Sequence, residues 1–423
     1  MEDKKIAYIL SRFPVLTETF ITKEIEELRS RGITVEVFSL KGPNLNDTFH
    51  PNTEKLIATT HYYPFFFSLM IWKNLFSCIG AKPWTCLKIL MKIIGMNVLT
   101  PVLLIKSLAV IPKAFTISVT INKLNIKKIH SRWANMPTTV AWIVSIMNEI
   151  DFTFTAHAWD IFLPDKMLEE KITKARTVIT CTKFNKKYLV ENFPNVNPSK
   201  IVVIYHGIGF KQFIPLKDNR NPVFTILCIG RLAETKGIQI LLPACSKLRE
   251  RAIPFLCQII YVHGDYEEKI FQIHESLHLN DCVEFIPAMP QEKLLDFYRN
   301  ADCFVLPCIV TSNGDRDGIP NVILESLAME LPIVSTPVSG IPEVVINGVT
   351  GLIVGERNVE ELADVMEKLY NDRELRKELG RNGRQLIERE FDIVRNIDLL
   401  EKIILGTGSR KRSHDGGKIV KQD

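Results

Sequence analysis

Phe224-Thr225-Ile226-Leu227-Cys228-Ile229-Gly230-Arg231-Leu232-Ala233-Glu234-Thr235-Lys236-Gly237 is the stretch from which the fold can be read. Residues 224–229 are a short, nearly continuous apolar run stopped by Gly230, which reads as a buried strand. A short basic loop follows, and residues 238–251 then carry a helical pattern. Strand, loop and helix open a βαβ unit, because neighbouring parallel strands need a crossover between them. The start of a helix presents free backbone N–H groups that attract anions. Arg231 and Lys236 add two fixed positive charges at the same opening, a combination that suits a diphosphate. A strand followed by a basic loop is common, so this segment alone names no ligand.

The same alternation extends in both directions. Towards the C-terminus, residues 255–262, 283–285, 303–306 and 333–335 read as strands, and 321–329 and 360–370 as helices. Towards the N-terminus, residues 6–10 and 34–40 read as strands. Between them Phe20, Ile21, Ile25 and Leu28 mark a helix that stops near Gly32. Further strands are expected around 127–130, 152–155, 177–180 and 201–204. Residues 62–125 are expected to form a helical insertion, cut by Pro64, Pro83, Pro101 and Pro112. Such alternation implies mostly parallel sheets covered on both faces, an α/β protein. The predicted organisation is an N-terminal Rossmann-like domain, 1–207, and a C-terminal one, 208–405. The stretch 207–222, mixing Gly, Pro, Asp and Asn, divides them, and the polar tail 406–423 is expected to be disordered.

Bulk properties exclude several classes. A chain of 423 residues favours two domains of ordinary size. The formal charge of +5 is too small to point to nucleic acid. The nine cysteines form no CxxC and no zinc-like Cys/His spacing, which favours reduced thiols packed as small hydrophobes in a cytoplasm. Residues 6–10 are too short for a secretory signal, and no run of about 20 uninterrupted apolar residues predicts a spanning helix. The charge distribution is more informative. From Lys55 to Asn148 there is no Asp or Glu, while Lys73, Lys82, Lys88, Lys92, Lys106 and Lys113 recur among large apolar residues such as Phe65, Phe66, Phe67 and Trp72. Either this is a buried helical layer with a few solvated lysines, or it faces an anionic membrane surface. The second reading is favoured. It places the chain peripherally on the inner face of the cytoplasmic membrane.

A second candidate site is Asp317-Gly318-Ile319-Pro320-Asn321-Val322-Ile323-Leu324-Glu325. With a helix opening near Asn321, a loop acid and an acid one turn inside can face one polyol, since carboxylates accept hydrogen bonds from hydroxyls. The plainer alternative is an acid favoured by the helix dipole and a surface glutamate.

Taken in order, these motifs resemble glycosyltransferase family 4. The resemblance runs from Gly230-Arg231 and Lys236-Gly237 through Asp317-x7-Glu325 and Ser326-Leu327-Ala328-Met329 to Pro332-Ile333-Val334, Gly340-Ile341-Pro342-Glu343 and Gly348-x-x-Gly351. Phe13-Pro14-x-x-Thr17-Glu18-Thr19-Phe20-Ile21 and Phe154-Thr155-Ala156-His157-Ala158-Trp159-Asp160-Ile161 resemble the bacterial exopolysaccharide, colanic-acid-type subgroup. The resemblance implies a GT-B fold, with two Rossmann-like domains facing a cleft. It also implies a retaining transfer of a hexose-type sugar from a nucleotide-diphosphate donor to a saccharide acceptor; the membrane-facing reading of residues 55–148 favours a lipid-linked one. Arg231 and Lys236 would hold the diphosphate, Glu325 the ribose, Asp317 the transferred sugar, and His157 a sugar hydroxyl near the reacting carbon. Asp317 departs from the glutamate usual in the family, and its shorter reach bears on which sugar is held.

Other residues carry weaker expectations. Glu18 and Thr19 lie in the first βα loop, where a diphosphate or acceptor could approach. His206 ends the first domain and either lines the cleft or caps a strand; Ile286-Pro287 is taken as a base-reading loop. His157 could also be a structural histidine, and His130 is read as one. Asp315-Arg316-Asp317 mimics a metal-binding Asp-x-Asp, but Arg231 and Lys236 could neutralise the leaving group, so no metal and no cofactor is expected. Two rivals remain: a sugar-nucleotide epimerase of the same fold, and a non-catalytic sugar-nucleotide-binding subunit. A dinucleotide oxidoreductase is disfavoured by the lack of G-x-G-x-x-G after either first strand.

Overall fold

A computed structural model of the protein describes residues 4–15, 19–43, 56–64, 68–162, 165–209, 212–215 and 223–406. The apolar runs form two parallel sheets. β1 (Lys5–Arg12), β2 (Thr34–Lys41), β3 (Thr60–Tyr62), β4 (Ile129–Arg132), β5 (Phe152–Ala156), β6 (Thr177–Thr180) and β7 (Ile201–Val203) lie in the order β3-β2-β1-β4-β5-β6-β7. β8 (Phe224–Arg231), β9 (Phe255–Val262), β10 (Val283–Pro287), β11 (Cys303–Leu306), β12 (Ile333–Ser335) and β13 (Gly351–Ile353) lie in the order β10-β9-β8-β11-β12-β13. Both sheets follow the doubly wound pattern expected from the alternation. In each, the strand order reverses beside the first strand, between β1 and β4 and between β8 and β11, and ligands of such sheets bind outside the carboxyl ends at that point. The central strands are unbroken apolar runs because helices cover both faces: Ile6, Ala7, Tyr8 and Ile9 are buried in one sheet, and Ile226, Leu227 and Cys228 in the other. The three-residue strands β3 and β13 are too short to leave an alternation, and they were not foreseen. Ile286 and Pro287, expected in a loop, end the edge strand β10 instead: pairing with Ile260 and Tyr261 of β9 continues through them.

The helical insertion is real, and its prolines start helices. Pro83, Pro101 and Pro112 stand in the first turns of Pro83–Asn97, Pro101–Ala109 and Ile111–Lys123, where a missing N–H costs nothing. Leu69–Ala81 packs on Ile111–Lys123, and Pro83–Asn97 on Pro101–Ala109 and Met136–Asn148. Three helices thus form an outer tier over an inner one. Residues 101–123 together are long and apolar enough to cross a membrane, but half of that stretch is buried in the protein and the helix breaks at Val110. Lys113, expected among the outward lysines, points inward: its Nζ donates to the Leu40 carbonyl at 2.6 Å, and burial brings its pKa down to about 8.

The last helix, Ile393–Leu405, was grouped with the second domain but packs on the first sheet. Ile397, Leu400, Ile404 and Leu405 recur at helical spacing and close a core with Ile6, Tyr8, Ile21 and Ile25. Arg31 pairs with Asp398 and with Glu401. The chain therefore passes between the sheets twice, and the two passages touch. Ile208 N–H donates to Phe391 O at 2.9 Å, Ile393 N–H donates to Ile208 O at 3.3 Å, and Ile208 and Asp392 form a parallel bridge.

Candidate functional site

The second sheet supplies the charged half of the site. β8 ends at Arg231, a single 3-10 turn, Glu234–Lys236, follows, and Gly237 starts the helix Ile238–Glu250. Gly237 has φ +70°, and a Cβ there would sit 1.8 Å from the Pro307 carbonyl oxygen, so no other residue fits. The turn aims Lys236 at the loop after β11, where its Nζ meets Asp317 Oδ1 at 2.9 Å. Burial pulls the ammonium pKa down, but Asp317 and Cys308 together outweigh it and the net shift is upward. The diphosphate-holding lysine and the sugar-contacting acid of the sequence reading are thus partners in one ion pair. Arg231 is exposed and lines a polar cavity with Thr235, Asp265 and Asp315.

Glu325 lies one turn inside the helix Asn321–Ala328. Tyr298 O–H donates to its Oε2 at 2.7 Å and Gln291 Nε2 to its Oε1 at 3.3 Å. Burial raises its pKa, against the pull of Tyr298 and Lys23. Lys23 comes from the first domain and lines the same cavity as Glu325, Gln291 and Asn321.

The first sheet supplies a neutral half. His157 follows β5, and Asp160 fixes the turn by accepting from the backbone N–H groups of His157 (2.9 Å), Ala158 (3.0 Å) and Ala134 (2.7 Å). Burial pushes the Asp160 carboxyl up to about 6, while those donors hold it down. His157 Nδ1 and His206 Nε2 share a hydrogen bond of 2.9 Å. Burial, then the neighbouring His206 and Arg132, holds His157 well below the usual histidine range. Burial and Arg132 bring His206 to about 3. Both rings are neutral near pH 7, so they act as hydrogen-bonding groups and not as cations. His130, bonded to Thr153 and Thr155 inside the sheet, is structural.

Sequence reading missed three contributors. Trp133, with its ring 4.1 Å from that of His157, is held at φ +75°, a conformation rare for a bulky side chain and found where function constrains the backbone. Arg132, buried, donates to Glu24 Oε2 at 2.8 Å, and Tyr8 O–H donates to Glu24 Oε1 at 2.9 Å. The signal for the first two was their position at the carboxyl end of β4, beside the switch point. The third contributor is Glu343. It accepts from the N–H groups of Lys183 (3.0 Å) and Phe184 (2.9 Å) and from Tyr205 O–H (2.7 Å), so an acid of the second domain caps a helix of the first.

The two halves meet. A Cβ on Gly318 would lie 3.8 Å from Ala158 Cβ, and one on Gly340 2.5 Å from Thr182 Cγ2. The Arg316 guanidinium stands over the Phe162 ring at 4.8 Å. His206, Ile319 and Leu324 line one cavity between the domains. Of the remaining expected residues, Ile286 packs on the second core from the edge strand. Glu18 lies outside the described residues, as do Phe65, Phe66, Phe67 and the tail 407–423; the backbone of Thr19 opens the helix Thr19–Ser30. Among the described residues, one group has metal-ligand chemistry: His157, Cys181 and His206, within 4.8 Å of one another. It does not suit a metal, because the two imidazoles bond each other and burial pushes the Cys181 thiol up to about 12.

The chain is similar to known proteins in sequence and in fold. The family described as "Glycosyl transferases group 1" matches residues 211–386. AmsK of Erwinia amylovora, an amylovoran biosynthesis glycosyltransferase, is 34% identical over 171 residues, 40% of this chain and 42% of that one. WcaL of Escherichia coli K12, provisionally named a colanic acid biosynthesis glycosyltransferase, is 30% identical over 196 residues, 46% of this chain and 48% of that one. The chain thus matches slightly under half the length of these relatives. A glycosyltransferase of Rickettsia africae superposes with a TM-score of 0.70 at 18% identity, covering 95% of this chain and 98% of that one. Anabaena HepE, solved with UDP and glucose, superposes with a TM-score of 0.67 at 15% identity, again covering 95% and 98%. At these identities the structural likeness concerns the fold, which is GT-B.

Proposed function

We propose that the chain, whose residues 211–386 match the group 1 glycosyltransferases, moves a hexose from a nucleoside-diphosphate donor to a lipid-carried saccharide, with retention at the anomeric carbon. The observation that carries this reading is the Lys236–Asp317 pair at the carboxyl edge of β8 and β11, with Arg231 at the end of β8, Glu325 on the helix that follows Asp317, and the neutral His157–His206 pair in the facing domain. Arg231 and Lys236 offer fixed cations to a leaving diphosphate in a site that needs little reorganisation. Lys236 holds Asp317 through Oδ1, and in this reading the carboxylate accepts from a sugar hydroxyl. Glu325, steadied by Tyr298, accepts from the ribose. A neutral His157 suits a hydrogen bond to a hydroxyl near the reacting carbon.

Retention in this reading does not use Asp160 as a nucleophile. Double displacement needs a carboxylate free to attack the sugar. Asp160, the acid nearest His157 in sequence, is buried and engaged by three N–H groups. The leaving diphosphate is then the base that receives the acceptor proton, and the protein contributes positioning and electrostatics. AmsK is named for amylovoran biosynthesis and WcaL for colanic acid biosynthesis, which supports a saccharide acceptor.

A thermal-shift panel of UDP-, GDP- and ADP-sugars, begun with UDP-glucose, identifies the donor, since a bound ligand stabilises the folded state. Transfer with that donor survives EDTA. Glu325→Gln raises the donor KM, and His157→Ala lowers kcat. No shift with any sugar nucleotide would sink the reading. Epimerised donor released without an acceptor would replace it with an epimerase.

A further inference from the structure

The outer tier of the helical insertion inverts the usual distribution of side chains. Leu69 is 91% exposed, Leu99 87%, Trp84 73% and Ile105 67%. Trp72 and Phe76 stack on each other in the open, and Met91, Val98 and Val102 are exposed as well. In Pro101–Ala109 the one fully buried residue is Ser107, while Val102 and Ile105 face outward. Scattered exposed apolar residues need no explanation, but a contiguous set on three packed helices marks an interaction surface.

The charges on this tier say what it meets. Lys82 pairs with Glu149 at 2.7 Å and Lys92 with Glu170 at 2.5 Å, so these two lysines tie the tier to the rest of the domain. Lys73, Lys88 and Lys106 are exposed and make no ion pair among the described residues. No acid stands on these helices, since none occurs between Lys55 and Asn148. Two copies meeting through this face would set lysine against lysine around the apolar patch. An anionic surface of low polarity satisfies both features: aromatic and aliphatic groups enter the interface while lysine ammoniums stay among the headgroups.

We propose that Leu69–Ala81, Pro83–Asn97 and Pro101–Ala109 form a platform that docks on an anionic lipid bilayer, the inner face of the cytoplasmic membrane. It rests on the proposed transfer only in its purpose, which is to hold the enzyme where a lipid-carried acceptor lies. Lysine attraction and apolar insertion act together, so binding needs both an anionic headgroup and the exposed side chains.

The test is flotation of the full chain with vesicles of pure phosphatidylcholine or of phosphatidylcholine with phosphatidylglycerol, at low and high salt. The wild type floats with the anionic vesicles at low salt and loses them at high salt. Replacing Lys73, Lys88 and Lys106 together with Gln weakens binding on the order of a hundredfold, about fivefold per lysine. Phe76→Ser with Trp84→Ser weakens it independently of salt. Both variants keep the wild-type melting temperature and donor-induced shift, because the altered side chains are exposed and lie away from the cleft. A wild type that ignores anionic vesicles, or variants that bind like it, overturns the proposal. So does a dimer in solution that Phe76→Ser and Trp84→Ser dissociate while vesicle binding is unchanged, which would make a second copy the occupant. Vesicle binding without sugar transfer would instead leave the platform standing and refute the proposed reaction.

Discussion

His206 sits where the first domain ends, and its burial beside Arg132 gives the site a measurable pH signature. Its pKa falls from an ordinary 6.5 to about 3 on folding, through burial and then Arg132. Below 6.5 the unfolded chain takes up a proton that the folded one refuses. The contribution is therefore fully present above pH 6.5 and drains away as pH falls towards 3. His157, also depressed, adds in the same direction, and Asp160, raised to about 6, works in the opposite one over its own range, so the wild-type curve mixes several groups. His206→Gln isolates the histidine: its melting temperature falls less than the wild type's between pH 6.5 and 4. Parallel curves would mean that His206 titrates normally. At this scale the sequence singled out Arg231, Lys236, Asp317, Glu325 and His157, because each sits in a short contiguous motif. It was silent on the Lys236–Asp317 pair, on Arg132 with Glu24, and on Trp133. Those relations join residues tens of positions apart, and spacing carries no trace of them.

Among elements, every strand but β3 and β13 was readable because buried parallel strands are continuous apolar runs. The proline-cut insertion was readable too, since proline favours the first turn of a helix. The apolar stripe of Ile393–Leu405 is equally plain, but nothing local says which sheet it covers. The helix Lys183–Asn192 shows how partners from afar complete an element. Thr182 caps it locally by accepting from Asn185 N–H, and Glu343 satisfies two further N–H groups from the other domain. Glu343→Ala lowers stability in urea by about 1–2 kcal/mol, the range for a lost helix cap. Glu343→Gln, which keeps an acceptor but loses the charge near the helix dipole, costs about 0.3–1 kcal/mol. Equal losses in the two variants would show that the negative charge, and not the hydrogen bonds, carries the contact.

For the whole molecule, the return of the last helix makes the first domain depend on the far end of the chain. Ile397, Leu400, Ile404 and Leu405 are buried there. A buried aliphatic side chain is worth about 1.5–3 kcal/mol. Four together are comparable to the stability of a typical domain, about 5–15 kcal/mol. A chain ending at Asp392 should therefore lose slow amide hydrogen exchange across β1 and β2 while retaining it in β8 and β9. Protection that persists in β1 and β2 would mean that this helix is dispensable. The same return has a mechanical meaning. Two leaves sewn together at two adjacent stitches, Ile208 to Phe391 and Ile393 to Ile208, have a spine. Sliding or twisting one leaf against the other tears the stitches, whereas turning about the spine leaves them whole. Admitting a donor and releasing its product then come down to one coordinate, the angle to which the book is opened.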